Sequence, residues 1–377
     1  MRITAAAVLL LACGARTELA APRVGDASPP PPAPFLRIAC GEAHTCALRS
    51  DGTVLCWGLN TSSQVGAPAS ATSTPVAVAL SGPASAIGLG AYHSCAVVSG
   101  DVFCWGDDLV GQLGSDVPSS ATPLFANVSD AIDVTGGYSH TCALLSNGAV
   151  ACWGQNAGGQ LGDGNTFSST TPMGALLGGA TALGRSAGAS EHTCAIAAGG
   201  SVRCWGSNVE GELGSGSSDP FASTPTTAIA SGAIAVAVVD FSTCAVMESG
   251  AVACWGDNDS GQLGDGTKIS SNVPVTAVLT GATTVAVAEQ HACALAGGGA
   301  VWCWGDNQNG ELGDGTTLAR SVPVRAIESG ATDVCAGGGH TCAAMSDGRV
   351  LCWGVGTSGA LGGAPVAFSA TPIAVAL

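Results

Sequence analysis

From about residue 36 onward the chain alternates short apolar runs with glycine-rich polar breaks. TVLCWG (53–58) is followed by SSQVG (62–66) and then TPVAVAL (74–80). Runs of this length, bounded by turn residues, suit β-strands, and none has the length or 3.6-residue period of a useful helix. The pattern repeats. A Trp-Gly pair closes one strand of each unit, at Trp57, Trp105, Trp153, Trp205, Trp255, Trp304 and Trp353, with spacings of 48, 48, 52, 50, 49 and 49 residues. A self-similar period near 50 with about four strands per unit predicts an all-β, seven-bladed β-propeller of four-stranded blades.

Each unit contains a hairpin whose register can be read from its cysteines. In GEAHTCALRSDGTVLCWG (41–58), placing Cys46 opposite Cys56 leaves Ser50-Asp51-Gly52 as a three-residue loop ending in glycine, the residue such loops require in the left-handed conformation. The same pairing for Cys142 and Cys152, Cys194 and Cys204, Cys244 and Cys254, Cys293 and Cys303, and Cys342 and Cys352 also leaves loops ending in glycine. Cys95 and Cys104 are one residue closer, which leaves the two-residue turn Ser99-Gly100 and keeps the cysteines opposite. Seven cross-strand disulfides are therefore expected, each closing a short loop and contributing on the order of 2 to 3 kcal/mol. Cys40 and Cys335 remain, just upstream of the hairpins in the first and last units. Those units meet when a ring closes, so a closure disulfide is expected between them.

Composition fits a packed, exported domain. Hydrophobic residues make up 46% of the chain, only 10% are charged, and 56 residues are glycine, so a large core with many tight turns is available. The net charge is −16 and Lys268 is the one lysine, which leaves no basic patch for nucleic acid. Seventeen cysteines point to an oxidising compartment. At the N-terminus, Arg2, the apolar run from Ile3 to Ala12 and Leu10-Leu11-Ala12-Cys13 form a short signal peptide with a lipobox-like end, so residues 1–13 are expected to direct export and Cys13 to carry lipid. Residues 14–34, with SPPPPAP (28–34), are expected to form a stiff tether, and 35–377 the propeller. The expected location is the bacterial cell envelope, at the outer membrane or cell surface. Contact with the membrane would run through the lipid anchor alone, and the expected state is a monomer.

CWGDNDSGQLGDGT (254–267), CWGDNQNGELGDGT (303–316) and the recurring G-x-x-H-T-C-A-L phrase resemble the repeats of the regulator of chromosome condensation family. The resemblance covers about residues 36 to 377 and implies a seven-bladed propeller. The family includes a nuclear guanine-nucleotide exchange factor that docks on chromatin, a plant ultraviolet sensor and a secreted bacterial inhibitor of β-lactamases. The acidic balance and signal peptide argue against a chromatin role. Ultraviolet sensing needs tryptophans beyond the repeat positions, and only Trp302 is available.

Chemistry is sparse by comparison. His44, His93, His140, His192, His291 and His340 stand two residues before the first hairpin cysteine, with Ser242 in that place in unit five. One repeat offers three ligands at most, zinc takes about four, and equivalent residues on different blades are expected to lie too far apart to share an ion. The histidines are thus expected to be repeat-core residues bonded to backbone, with no metal and no cofactor. The GDGN segment (162–165) and the GDGT segments (264–267, 313–316) are expected to be structural turns. A calcium loop counted from Asp257 would need glutamate where Lys268 stands. No nucleophile-elbow or phosphate-loop string occurs, so no catalytic residue is assigned.

Positions that differ between otherwise matching units are those the fold leaves free. The loops entering each hairpin carry Glu42, Tyr92, Tyr138, Glu191, Asp240, Phe241, Glu289 and Gln290, which a propeller would place on one face. Aromatics beside acids suit a protein or cationic ligand. The expected function is a non-enzymatic envelope scaffold that binds a protein or envelope polymer. The alternatives are an inhibitor of a secreted enzyme and, behind it, a carbohydrate-active hydrolase or lyase.

Overall fold

The computed structural model describes residues 33–68, 72–115, 117, 119–363 and 366–377. The expected signal peptide, Cys13 and the expected tether up to residue 32 lie outside these. Seven sheets follow one another, each with four antiparallel strands from one repeat, and the fifth carries an additional short strand from the fourth repeat. Blade 1 comprises Phe35–Cys40, His44–Arg49, Val54–Gly58 and Thr72–Ala77; blade 7 comprises Ala331–Ala336, His340–Met345, Val350–Val355 and Phe368–Ala374. The first strands of neighbouring blades pack on one another around the axis, and the fourth strands form the solvent-facing rim. Helix is limited to the single 3-10 turn Ala198–Gly200 among the described residues.

The hairpin register is as the cysteines predicted. Cys46 faces Cys56 with Leu48 opposite Val54, and Cys95 faces Cys104 with Val98 opposite Asp101. Ser99 and Gly100 both take positive φ, 54° and 90°, as a two-residue hairpin turn demands. All seven hairpin pairs are bonded, with Cα atoms 4.0–4.1 Å apart, the close spacing of non-hydrogen-bonded positions. Cys40 and Cys335 are also bonded, across blades 1 and 7.

The core is a set of seams between blades. Cys46, Leu48, Val54 and Cys56 of blade 1 pack against Ile87, Leu89, Ala96, Val98 and Trp105 of blade 2, and equivalent clusters recur around the ring. Each repeat tryptophan is fully buried and its indole N–H donates to a main-chain carbonyl of the preceding blade. Trp105 bonds the Gln64 carbonyl at 3.0 Å, Trp153 the Gln112 carbonyl at 2.9 Å and Trp353 the Glu311 carbonyl at 2.7 Å. Truncating one such side chain to alanine removes both a buried hydrogen bond and a large apolar payload, about 3 to 5 kcal/mol in all. Trp57 bonds the Ala360 carbonyl, so the same contact closes the ring between the first and last repeats.

The fourth repeat departs from this regularity. Its inner strand, Ala180–Leu183, is followed by three inserted residues before the hairpin, so that Arg185–Ser186 pairs in parallel with the inner strand of blade 5, Ala233–Val239. This insertion crosses the channel. Thr135 Oγ1 of blade 3 donates to the Gly184 carbonyl at 2.9 Å, and Gly188, at φ 87°, lies so near blade 2 that a Cβ there would meet the Gly90 carbonyl at 2.7 Å. Beside the insertion the channel holds a cavity of about 20 Å³, room for roughly one water.

Candidate functional site

The repeated histidines belong to the seams and not to a site. Each is buried, and its Nε2 meets a hydroxyl of the next blade: His93 to Thr141 at 2.8 Å, His140 to Thr193 at 2.8 Å, His192 to Thr243 at 2.7 Å, and His340 to Thr45 at 2.8 Å across the closing seam. The partner is therefore a side chain, where the sequence suggested backbone. Thr141 gives its one hydroxyl proton to the Gln112 carbonyl, so its oxygen must accept from the ring, which makes Nε2 the protonated nitrogen of His93. Burial then holds the rings neutral, with pKa lowered to about 3 for His44, His93, His192 and His291 and about 4 for His140 and His340. Blade 5 has Ser242 in the histidine place, and blade 6 has Ala292 where the hydroxyl would be. The missing donor and missing acceptor fall on the same seam.

Residues of different blades do approach one another more closely than the repeat spacing suggested. Ligand atoms of Cys40, His340 and Cys342 lie within 4.8 Å of one another at the closing seam. Both sulfurs are committed to disulfides, with Cys335 and Cys352, and so offer no thiolate to a metal. The GDGT segments are turns: Asp265 accepts from the backbone N–H of Thr267 at 2.8 Å, and Asn258 Oδ1 holds the backbone N–H of Leu263 at 2.9 Å.

The loops entering the hairpins carry the expected mixture of acids and aromatics, and several of these residues come together. Tyr92 and Tyr138 stack edge to face with ring centroids 6.0 Å apart. Glu42 of blade 1 lies against blade 7, where its carbonyl accepts from the Gly338 N–H; a Cβ on Gly338 would stand 2.3 Å from the Glu42 carboxylate, so glycine makes room for it. Desolvation, reinforced by Glu289, pushes the Glu42 carboxyl up to about 7. Asp240 is likewise raised to about 7, by desolvation first and then by Glu191, Glu289, Glu212 and Glu42. Burial also raises Glu289. Acids from blades 1, 4, 5 and 6 thus act on one another across the ring, which places them around the axis at one mouth of the channel.

Phe241 and Gln290 stand exposed on the same loops and make no ring or side-chain hydrogen-bond contact with this group among the described residues. Glu212 went unnoticed in the sequence. It occupies the place of Gln64, Gln112, Gln160 and Gln262 in other repeats, is fully buried, and accepts from Ser207 Oγ at 2.7 Å. The available signal was glutamate in a column that is glutamine in four repeats, a change the sixth repeat shares at Glu311. Also unnoticed were Arg37, Asp133, Arg185 and Asp333, which meet at the opposite mouth. Their signals were charge at an inward strand position and the 52-residue spacing of the fourth unit.

Models of the regulator of chromosome condensation (RCC1) repeat match residues 35–64, 131–160, 186–212, 233–262, 283–311 and 331–360, and a second model of the repeat matches 51–97, 99–144, 249–295 and 298–344. No curated protein matches the sequence significantly. Among solved structures, Prp20p from Saccharomyces cerevisiae, described with its binding properties to Gsp1p and histones, is 20% identical, with a TM-score of 0.78 over 88% of this chain and 87% of that one. The yeast protein bound to Kap60 gives 0.76 at 18% identity over 96% and 91%. Human WBSCR16 gives 0.74 at 24% identity over 83% and 87%. Identities this low establish a shared fold and nothing finer. The repeat models, matching well over half of the sequence in the register of the seven blades, place the chain in the regulator of chromosome condensation repeat family.

Proposed function

We propose that this protein is a non-catalytic binding propeller of the cell envelope, tethered through a lipidated Cys13, and that it engages a protein partner with the mouth formed by its hairpin-entry loops. The observation that carries this reading is the convergence of Glu42, Asp240 and Glu289 beside the Tyr92–Tyr138 pair, with no cation near them among the described residues. Tyr138 is 42% exposed and Phe241 38%, so aromatic surface is available next to concentrated negative charge. That combination fits a segment bearing lysine or arginine, which could pair with the acids and pack on the rings. Related propellers supply precedent for binding proteins, since yeast Prp20p is described with Gsp1p, histones and Kap60.

The test compares wild type with a Tyr92→Ala/Tyr138→Ala/Phe241→Ala variant as baits for envelope extract, with Phe167→Ala, an exposed residue of another loop, as control. Loss of a partner by the triple variant alone is the expected result. Equal capture of all partners by the three baits would sink the assignment of this face, and turnover of an envelope polymer without stable capture would point to an enzyme.

A further inference from the structure

At the other mouth of the channel, where the inner strands begin, four charged residues from four blades meet. Arg37 of blade 1 donates from Nη1 to Asp133 of blade 3 at 2.6 Å, and Arg185, carried by the blade 4 insertion, donates from Nη1 to Asp333 of blade 7 at 2.5 Å. Asp333 also accepts from the Ile38 N–H at 3.0 Å. Arg37, Asp133 and Asp333 occupy one register position of the inner strand; its other occupants are Ala86, Ala182, Ala235 and Thr284. Small residues on blades 4, 5 and 6 leave a depression of about 320 Å³, lined by Arg37, Asp133, Arg185, Ala182, Ala235 and Thr284. That is the lower end of the size range for small-molecule sites.

The two guanidiniums are richer in donors than their ion pairs consume. Each carries five N–H groups and gives one to its aspartate, and the Nε of Arg37 is buried with no hydrogen-bond partner. The chain has only eleven cationic side chains, so placing two at one mouth concentrates what positive charge it has. We propose that this mouth is a binding site for a small carboxylate-bearing ligand, held by Arg37 and Arg185. A planar carboxylate matches the fork of a guanidinium and carries a single charge, whereas a doubly charged phosphate would be repelled more strongly by Asp133 and Asp333. The aspartates orient the arginines, and the crossing insertion brings Arg185 within reach. This site is separate from the hairpin-entry mouth and stands or falls independently of the partner proposed there.

The test is a titration of the full-length protein with sodium acetate, against sodium chloride at matched ionic strength, followed through the arginine Nε–H resonances. Saturable, carboxylate-specific shifts are expected, with affinity at least roughly tenfold weaker in Arg185→Ala and several-fold weaker in Arg185→Lys, whose ammonium lacks the fork. Thr284→Leu fills the depression without touching the four charges and should also weaken binding; a role confined to holding the insertion in place predicts no such effect. If Arg185→Ala does not fold, Thr284→Leu decides the question. Shifts no different from those with chloride, or undiminished binding by Thr284→Leu and any folded Arg185 variant, would overturn the proposal.

Discussion

The two mouths of the channel are built from opposite ends of the same seven inner strands, yet they treat charge in opposite ways. At the hairpin-entry mouth, Glu42, Glu191, Asp240 and Glu289 gather without a cation among the described residues, and desolvation with mutual repulsion drives Glu42 and Asp240 up to about 7. At the strand-start mouth, Asp133 and Asp333 each meet a guanidinium. Unpaired charge held by a fold costs stability that a ligand of opposite charge can recover, whereas paired charge ties the elements that carry it. The first mouth is the one proposed to receive a cationic group. The second is a latch across blades 1, 3, 4 and 7, with guanidinium donors to spare.

The seam between blades 1 and 7 tests this contrast directly, because it is pinned at both ends. Blade 7 takes all four strands from the last repeat, so no strand is exchanged to close the ring. Cys40–Cys335 fastens the hairpin-entry end, and the Asp333 bond to Ile38 N–H fastens the other. A disulfide closing a loop of 295 residues should be worth up to about 6 kcal/mol in the chain-entropy model, so Cys40→Ala/Cys335→Ala is expected to lose the most in denaturant unfolding. Asp333→Ala should cost about 2 to 4 kcal/mol, since it strands an arginine and a buried N–H, with some relief because Arg185 is one-third exposed. If Asp333→Ala proved neutral, the strand-start mouth would not be a latch.

The hairpin-entry mouth should respond to pH with the opposite sign from the seams. Glu42 and Asp240 are raised from 4.5 and 3.8 to about 7, so the stability linked to them is present at low pH and lost as pH rises through 7. The buried histidines are lowered from 6.5 to about 3 to 4, so their contribution is present above 6.5 and lost as pH falls below it. A Glu42→Gln/Asp240→Asn variant retains the histidines and removes the acids. Its advantage over wild type should be near zero at pH 4 and grow between pH 5 and 8 to on the order of 1 kcal/mol, allowing for solvent screening of half-exposed groups. Thermal unfolding across that range measures it, and a gap that stays flat with pH would show the acids to be well solvated and independent.

Much of the ring was legible because repetition restates it seven times. The one-residue shortening to Ser99-Gly100 fixed the hairpin register better than any single unit could, since cysteines that stay opposite through a deletion must be cross-strand partners. The seams were hidden for the same reason that the blades were visible: their bonds join position 93 to 141, or 105 to 64, and nothing local in either segment names its partner. The fourth repeat shows the limit most clearly. Counting seven back from His192 reaches Arg185, but the strand register puts Ala182 there, because three inserted residues carry Arg185 out across the axis. The unusual spacing was visible in the sequence; where the extra residues went depended on the channel they fill.

The smallest expected effect lies beneath the hairpin-entry mouth, at the seam between blades 5 and 6. Here Trp304 still bonds the Gln262 carbonyl at 2.7 Å, but Ser242 and Ala292 hold the positions at which other seams join histidine to a hydroxyl. The loops above this seam carry Asp240 and Glu289, so the ring lacks this latch where two of its crowded acids sit. Ser242→His alone buries an imidazole without a partner, and Ala292→Thr alone adds a hydroxyl whose oxygen lacks the imidazole. Together they complete the network, with the threonine proton passing to the Gln262 carbonyl as Thr141 does to Gln112. A double-mutant cycle in urea should therefore show a favourable coupling of about 0.5 to 1.5 kcal/mol. If instead the two changes add independently, the shared position of the two gaps has no energetic meaning, and the imidazole–hydroxyl bonds elsewhere in the ring contribute packing alone.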